Sequence, residues 1–197
     1  MIARYIQIYD DVFEDVVFDK VKEIASEIEF KAETHGQESF VIGHSNILNV
    51  MLGHVLKTLY NSPIRLHLGF CRLSTQSIDT TRRIHSDGMM AGKYSAVYYI
   101  DINDHYTGTR FYRHDKHGYA MPNDLSTTEI NRLLIEDSDK HSMWNKHATV
   151  YARPNRLLVY QSDLFHRKFP SKCNAKRIVW VGFYDINKGK ECHGKGF

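Results

Sequence analysis

Ile84-His85-Ser86-Asp87-Gly88 sets an imidazole and a carboxylate two residues apart. In an extended segment the side chains of i and i+2 leave the same face, so His85 and Asp87 can point at one metal ion. They supply two of three ligands. A third comes from a strand distant in sequence, and His166, ahead of Arg167 and Arg177, stands in that place. Two imidazoles and one carboxylate on one face of an octahedron leave the other positions open to exogenous ligands.

The flanks of this stretch read as strands. Leu66, Leu68, Phe70 and Arg72 alternate with Arg65, His67, Gly69 and Cys71, the period of a strand buried on at least one side. Residues 94–100 predict a strand, 101–108 a polar turn and 109–113 its antiparallel partner. Residues 156–161 predict another strand, Ser162-Asp163 the turn that delivers His166, and 177–184 the most apolar strand of the chain. Ahead of these, residues 4–9 predict a strand and 14–30 a helix whose buried stripe is Phe18, Val21, Ile24, Ala25 and Ile28. Residues 31–44 read as a loop holding at most a short strand. Ser45 or Asn46 caps a second helix to Tyr60, with Ile47, Val50, Met51, His54, Val55 and Leu59 as its stripe. The fold class is mostly β with N-terminal helices, built on a double-sheet jelly roll.

At 197 residues the chain is expected to form a single domain over 1–197. Residues 114–148 have weak periodicity and read as an insertion between core strands, a candidate lid. Its histidines, His114, His117, His141 and His147, lack the spacing of a zinc site and are read as solvated. Three widely spaced cysteines, Cys71, Cys173 and Cys192, form neither a disulfide framework nor a CxxC site and point to a reducing cytoplasm. No segment has the apolar length of a membrane span. Net charge +3, with Lys and Arg scattered, permits an acidic or nucleic-acid partner without arguing for one; Arg82, Arg83, Arg110 and Arg113 flank the expected mouth of the barrel.

Taken in order, His85-x-Asp87, Tyr98-Tyr99, Gly108-Thr109-Arg110-Phe111, Asn155-Arg156-Leu157-Leu158-Val159-Tyr160 up to His166, and Arg177-Ile178-Val179-Trp180-Val181 ending in Phe183-Tyr184-Asp185 resemble the 2-oxoglutarate- and Fe(II)-dependent dioxygenases, most of all their prolyl-hydroxylase-like branch. The resemblance covers roughly residues 65–185. It implies a double-stranded β-helix core with His85, Asp87 and His166 as iron ligands. It also implies Arg177 as partner of the distal carboxylate of 2-oxoglutarate, a charge that a guanidinium engages bidentately, with Tyr99 and Phe111 lining the cosubstrate pocket. The implied cofactors are Fe(II), 2-oxoglutarate and ascorbate as reductant. The implied reaction consumes O2 and hydroxylates an organic or peptidyl substrate, releasing succinate and CO2. Two alternatives share the scaffold: a non-catalytic jelly-roll binding protein, and a cupin-type metalloenzyme that does not use 2-oxoglutarate.

Overall fold

The computed structural model describes residues 6–35, 38–75, 83–88, 92–103, 106–138, 140–170 and 176–187. Arg82, His105, Cys173 and Cys192 lie outside them, as does the chain after Asn187. The elements run β1 (Ile6–Tyr9), α1 (Asp15–Ser26), β2 (Lys31–His35), β3 (Glu38–Gly43), α2 (Asn46–Tyr60), β4 (Ile64–Ser74), β5 (Tyr94–Ile102), β6 (Gly108–His114), α3 (Thr127–Asn131), β7 (Trp144–Tyr151), β8 (Arg156–Gln161), β9 (His166–Phe169) and β10 (Arg177–Ile186).

Seven strands form one antiparallel sheet in the order β1-β8-β5-β10-β4-β3-β2, and three form a second in the order β7-β6-β9. The two sheets enclose a core that includes Val97, Tyr99, Phe111, Leu158, Tyr160 and Val179. The outer face of the larger sheet carries Tyr98, Trp180 and Tyr184 against Val21, Ala25, Leu48, Leu52 and Leu56 of the two long helices. This is the jelly-roll class that the strand pattern predicts.

Strict alternation along β10 decides which residues see which layer. Ile178, Trp180 and Tyr184 pack toward the helices, whereas Arg177, Val179, Val181 and Phe183 line the cavity between the sheets. Gly182 is required on the helix side, because a Cβ there would stand 2.1 Å from the Trp180 ring. On β4 the same rule sends Leu68, Phe70, Arg72 and Ser74 into the cavity and Cys71 to the helices. The register slips between Phe183 and Tyr184, where Leu68 gives way to Leu66 as partner. Leu66 therefore packs with the helical layer rather than with Leu68.

Three expectations are corrected. The segment read as a loop is a hairpin, with β2 and β3 paired from Lys31↔Ile42 to His35↔Glu38. Its mixed polar composition reflects a sheet edge with exposed residues. In α2 the cap is Ser45, whose Oγ accepts from the Leu48 amide at 3.3 Å, but the buried stripe is Leu48, Leu52 and Leu56, with Met51 and Val55 of the expected stripe packed at its flank. Ile47 and Val50 are 59% and 73% exposed, and His54 also faces outward. Apolar residues surround this helix almost completely, so periodicity alone did not choose the face.

The third concerns residues 114–148. They carry α3, started by a capping box between Ser126 and Glu129, a π-helical turn Arg132–Asp137 and a 3-10 turn His141–Met143. Trp144–Ala148 already belongs to β7, which pairs along β6. Leu133, Met121 and Trp144 form a third core with Ile84, Tyr112 and Phe165. None of the segment's described residues lies on the cavity wall, so it braces the strands from behind instead of covering the mouth. His114 is fully buried, not solvated: its Nδ1 accepts the Lys116 and His117 amides at 3.2 and 3.3 Å. Burial lowers its pKa, which keeps the ring neutral.

Candidate metal centre

His85 and His166 are direct cross-strand partners. Each donates its amide to the other's carbonyl, at 2.9 and 2.8 Å. Residues that exchange both backbone hydrogen bonds in an antiparallel pair project their side chains to one face, and the two rings stand with centroids 4.5 Å apart. Asp87, two residues on, shares that face. The ligand-capable atoms of His85, Asp87 and His166 all lie within 4.8 Å of one another, and among the described residues no other His, Cys, Asp and Glu cluster of this kind occurs.

The hydrogen bonds around the three residues fix which atoms face inward. His85 Nδ1 lies 3.1 Å from the Arg83 carbonyl and His166 Nδ1 2.9 Å from the Leu164 carbonyl. A carbonyl only accepts, so both Nδ1 atoms carry the proton and both Nε2 atoms present a lone pair. Burial drives the His166 pKa down to about 4, against the opposing pull of the Asp87 carboxylate, so the ring stays neutral as a metal ligand must. On Asp87, Oδ2 accepts from Ser95 Oγ at 2.9 Å and from the Tyr160 hydroxyl at 3.1 Å. Oδ1 turns toward His85 Nε2, 3.7 Å away. Ser95 in turn reaches Ser162 Oγ at 3.0 Å, and Ser86 Oγ donates to the Ser162 carbonyl at 3.2 Å, tying the motif to the end of β8.

Tyr160 is the residue that the sequence reading missed. Its hydroxyl also stands 3.0 Å from His166 Nε2. Burial, then Asp87, push its pKa well above the ordinary value, so it is a neutral donor with one proton for two acceptors. Its only sequence signal was its place at the inward phase of β8, opposite Ser95.

The centre opens on a cavity of about 630 Å³ between the sheets, within the range of small-molecule sites. Arg177 is on its wall, 7% exposed, with Nη1 donating to the Gly108 carbonyl at 3.1 Å. Tyr99 and Phe111 are not on the wall. Tyr99 is fully buried, its hydroxyl 2.9 Å from Thr109 Oγ1 and its ring 5.4 Å from the Arg177 guanidinium. Thr109, not Tyr99, faces the cavity. Phe111 packs behind the centre, edge-on to Tyr160 at 5.2 Å and 6.0 Å from the His166 ring. Of the arginines expected at the mouth, Arg110 stacks on Phe169 and donates to Thr149, Arg113 pairs with Asp115, and neither lines the cavity, nor does Arg83.

A jelly roll with two histidines and an aspartate converging on one point is a cavity-bearing β-sandwich with a candidate metal site. The chain belongs to the family of unknown function DUF6445, whose model matches residues 44–168, a span that includes His85, Asp87 and His166 and stops short of Arg177. Among curated proteins no sequence matches. Solved structures similar to the chain include non-heme α-ketoglutarate-dependent enzymes. The epimerase SnoN, solved with Fe3+, α-ketoglutarate and nogalamycin RO, has a TM-score of 0.64 at 12% identity, over 91% of this chain and 78% of its own. The α-ketoglutarate-dependent carbocyclase SnoK from nogalamycin biosynthesis has 0.61 at 10%, over 93% and 81%. HygX from Streptomyces hygroscopicus, with nickel and 2-oxoglutarate bound, has 0.59 at 13%, over 93% and 83%. At this identity the likeness is one of fold. No helix among the described residues is long and apolar enough to cross a membrane.

Proposed function

We propose that the protein is a 2-oxoglutarate- and Fe(II)-dependent dioxygenase that hydroxylates an organic substrate, with O2 consumed and succinate and CO2 released. The observation that carries this reading is the convergence of His85, Asp87 and His166 within 4.8 Å on a cavity whose wall also holds Arg177. The donor set fits Fe(II): two neutral imidazoles with oriented Nε2 atoms and one carboxylate suit that ion better than a softer one. Iron bound there would supply chelation of the 2-oxo acid and activation of O2.

The chain's own residues supply the orientation. Ser95 and Tyr160 hold Asp87 Oδ2, which leaves Oδ1 turned to the centre. With the His166 Nε2 lone pair committed to a metal, the single proton of Tyr160 has Asp87 as its remaining acceptor. Arg177 is anchored by the Gly108 carbonyl on the cavity wall, where a guanidinium is the group that would meet the distal carboxylate of the cosubstrate. Val97, Val179 and Val181 line the wall between and exclude water, which strengthens each polar contact. Ascorbate would serve as external reductant, and the free, buried Cys71 is compatible with a cytoplasmic location. The prolyl-hydroxylase-like motif order supports a peptidyl C–H as an alternative substrate.

Incubation with Fe(II), ascorbate, O2 and 2-oxoglutarate tests the reading. Succinate should form, and Asp87→Ala should lose both iron stoichiometry and succinate. Iron bound equally well by Asp87→Ala would overturn the metal assignment, and iron binding without any 2-oxoglutarate binding would favour the cupin-type alternative.

A further inference from the structure

The residues that hold Asp87 continue sideways into an apolar wall. Tyr160 of β8 stands opposite Ser95 of β5, Ser95 opposite Phe183 of β10, and Phe183 opposite Leu68 of β4. Tyr160 and Ser95 donate to Asp87 Oδ2, whereas Phe183 and Leu68 line the cavity. Directly paired strand residues project to one face, so Leu68 lies two strand spacings from Ser95, about 10 Å. The neighbouring row, Val97, Val181 and Phe70, is apolar throughout and also lines the cavity. Arg72 and Arg177 belong to the rows beyond, opposite Val179 and Ser74, which sets Arg177 apart from the apolar end.

Three of these apolar side chains do not serve the protein's own packing. Among the described residues Leu68, Phe70 and Phe183 join none of the three cores, although Phe183 is only 4% exposed. Phe70 meets Phe183 with ring centroids 6.3 Å apart and planes tilted by 42°, and Leu68 and Phe70 stay half-buried on the cavity wall. Apolar area that faces a cavity is covered favourably by a ligand of like character, and the volume of about 630 Å³ suits a small organic molecule. A peptide main chain laid on the same rows would bring a donor and an acceptor with nearly every residue to side chains that offer neither, and unpaired polar groups are costly there.

We propose that the substrate is an apolar alicyclic or aromatic small molecule seated on Leu68, Phe70 and Phe183, and that this wall selects it. The assignment rests on the dioxygenase reading, with Arg177 left to the cosubstrate. The row from Ser95 to Leu68 sets one edge of such a body beside Asp87, so a C–H of its apolar skeleton is the bond presented to the metal centre. One atom of O2 enters that bond and the other enters succinate, with CO2 lost from the cosubstrate. Leu68 and Phe70 thereby set specificity through contact with the substrate, without touching the metal ligands.

The test titrates the full chain, loaded with Co(II) in place of iron, with borneol and 2-naphthol by ligand-observed NMR, in the presence and absence of 2-oxoglutarate. Glucose and a blocked, proline-containing hexapeptide are the polar arms. Borneol or 2-naphthol should bind tenfold or more tightly than either polar probe, and its protons should relax faster with Co(II) than with Zn(II), as they must beside the metal. Phe70→Ser and Leu68→Ser should each weaken that probe at least fivefold and weaken 2-oxoglutarate less, and Phe70→Leu should keep most of the affinity. No tenfold preference for an apolar probe, equal relaxation with the two ions, or unchanged affinity in both serine variants would each overturn the proposal. Failure of the wild-type protein to bind 2-oxoglutarate would instead strike at the dioxygenase reading, and the probes would still decide whether the apolar seat exists.

Discussion

Tyr160 has one proton and stands about equally far from Asp87 Oδ2 and His166 Nε2. Removing its hydroxyl takes a donor from the carboxylate without altering the ring that packs on Phe111. Partners of metal ligands typically influence metal affinity by about 10–100-fold. Tyr160→Phe should therefore weaken Co(II) binding within that range by calorimetric titration, while thermal unfolding of the metal-free protein changes little. Ser95→Ala should weaken it comparably, because Ser95 serves the same oxygen. At this scale the sequence was most informative where chemistry was explicit: His85, Asp87, His166 and Arg177 all meet at one cavity. It was silent on Tyr160, which read as an ordinary strand residue, and Tyr99 and Phe111 stand behind the cavity wall rather than on it. Alternation puts a side chain on the inward face but does not say which neighbour covers it; Thr109 covers Tyr99.

Helix α2 shows where pattern reading fails for a whole element. Its boundaries follow from Ser45 as cap and from Asn61, in the left-handed conformation, as stop, both legible in sequence. Its buried face was not legible, because apolar residues occur on nearly every side. Leu52→Ala should destabilise by about 2–5 kcal/mol, and Val50→Ala by less than about 0.5 kcal/mol; chemical denaturation distinguishes the two. Between β7 and β8, Asn155 takes a left-handed φ of 63°. Its side chain accepts from the Phe13 amide and the Tyr98 hydroxyl and donates to the Phe13 carbonyl. That clamp binds the segment before α1 to the central strands. Asn155→Ala should cost about 2–4 kcal/mol through unsatisfied buried groups and backbone strain, seen as a lowered unfolding midpoint.

For the whole molecule, two buried neutral histidines couple folding to acid. His166 titrates near pH 4 in the folded state, and His114 is lowered as well. The unfolded chain takes up these protons near pH 6.5, where an exposed imidazole titrates. The unfolded state thus binds more protons below that point, and stability falls as pH drops from about 6.5 toward 4. His166 alone should account for roughly 3 kcal/mol of that loss. Metal-free protein should show it in denaturation curves recorded across this window, and bound metal should lessen it, since protons and metal compete for Nε2. Strands β1, β4, β5, β6, β8 and β10 and both long helices follow from strand-period and helix-period patterns, and the two-layer class from their succession. The hairpin of β2 and β3 escaped that reading because exposed edge strands need no apolar alternation, and the 114–148 segment because its core contacts, Leu133 and Trp144 on Phe165 and Ile84, lie far apart in sequence.

The most direct test of the central claim is the affinity of 2-oxoglutarate for the protein with and without a bound divalent ion, measured by isothermal titration under anaerobic conditions. Binding should require the ion, should vanish in Asp87→Ala, and should weaken at least tenfold in Arg177→Ala while that variant still takes up the ion. Equal affinity with and without the ion, or an Arg177→Ala protein that binds 2-oxoglutarate as the wild type does, would contradict the assignment.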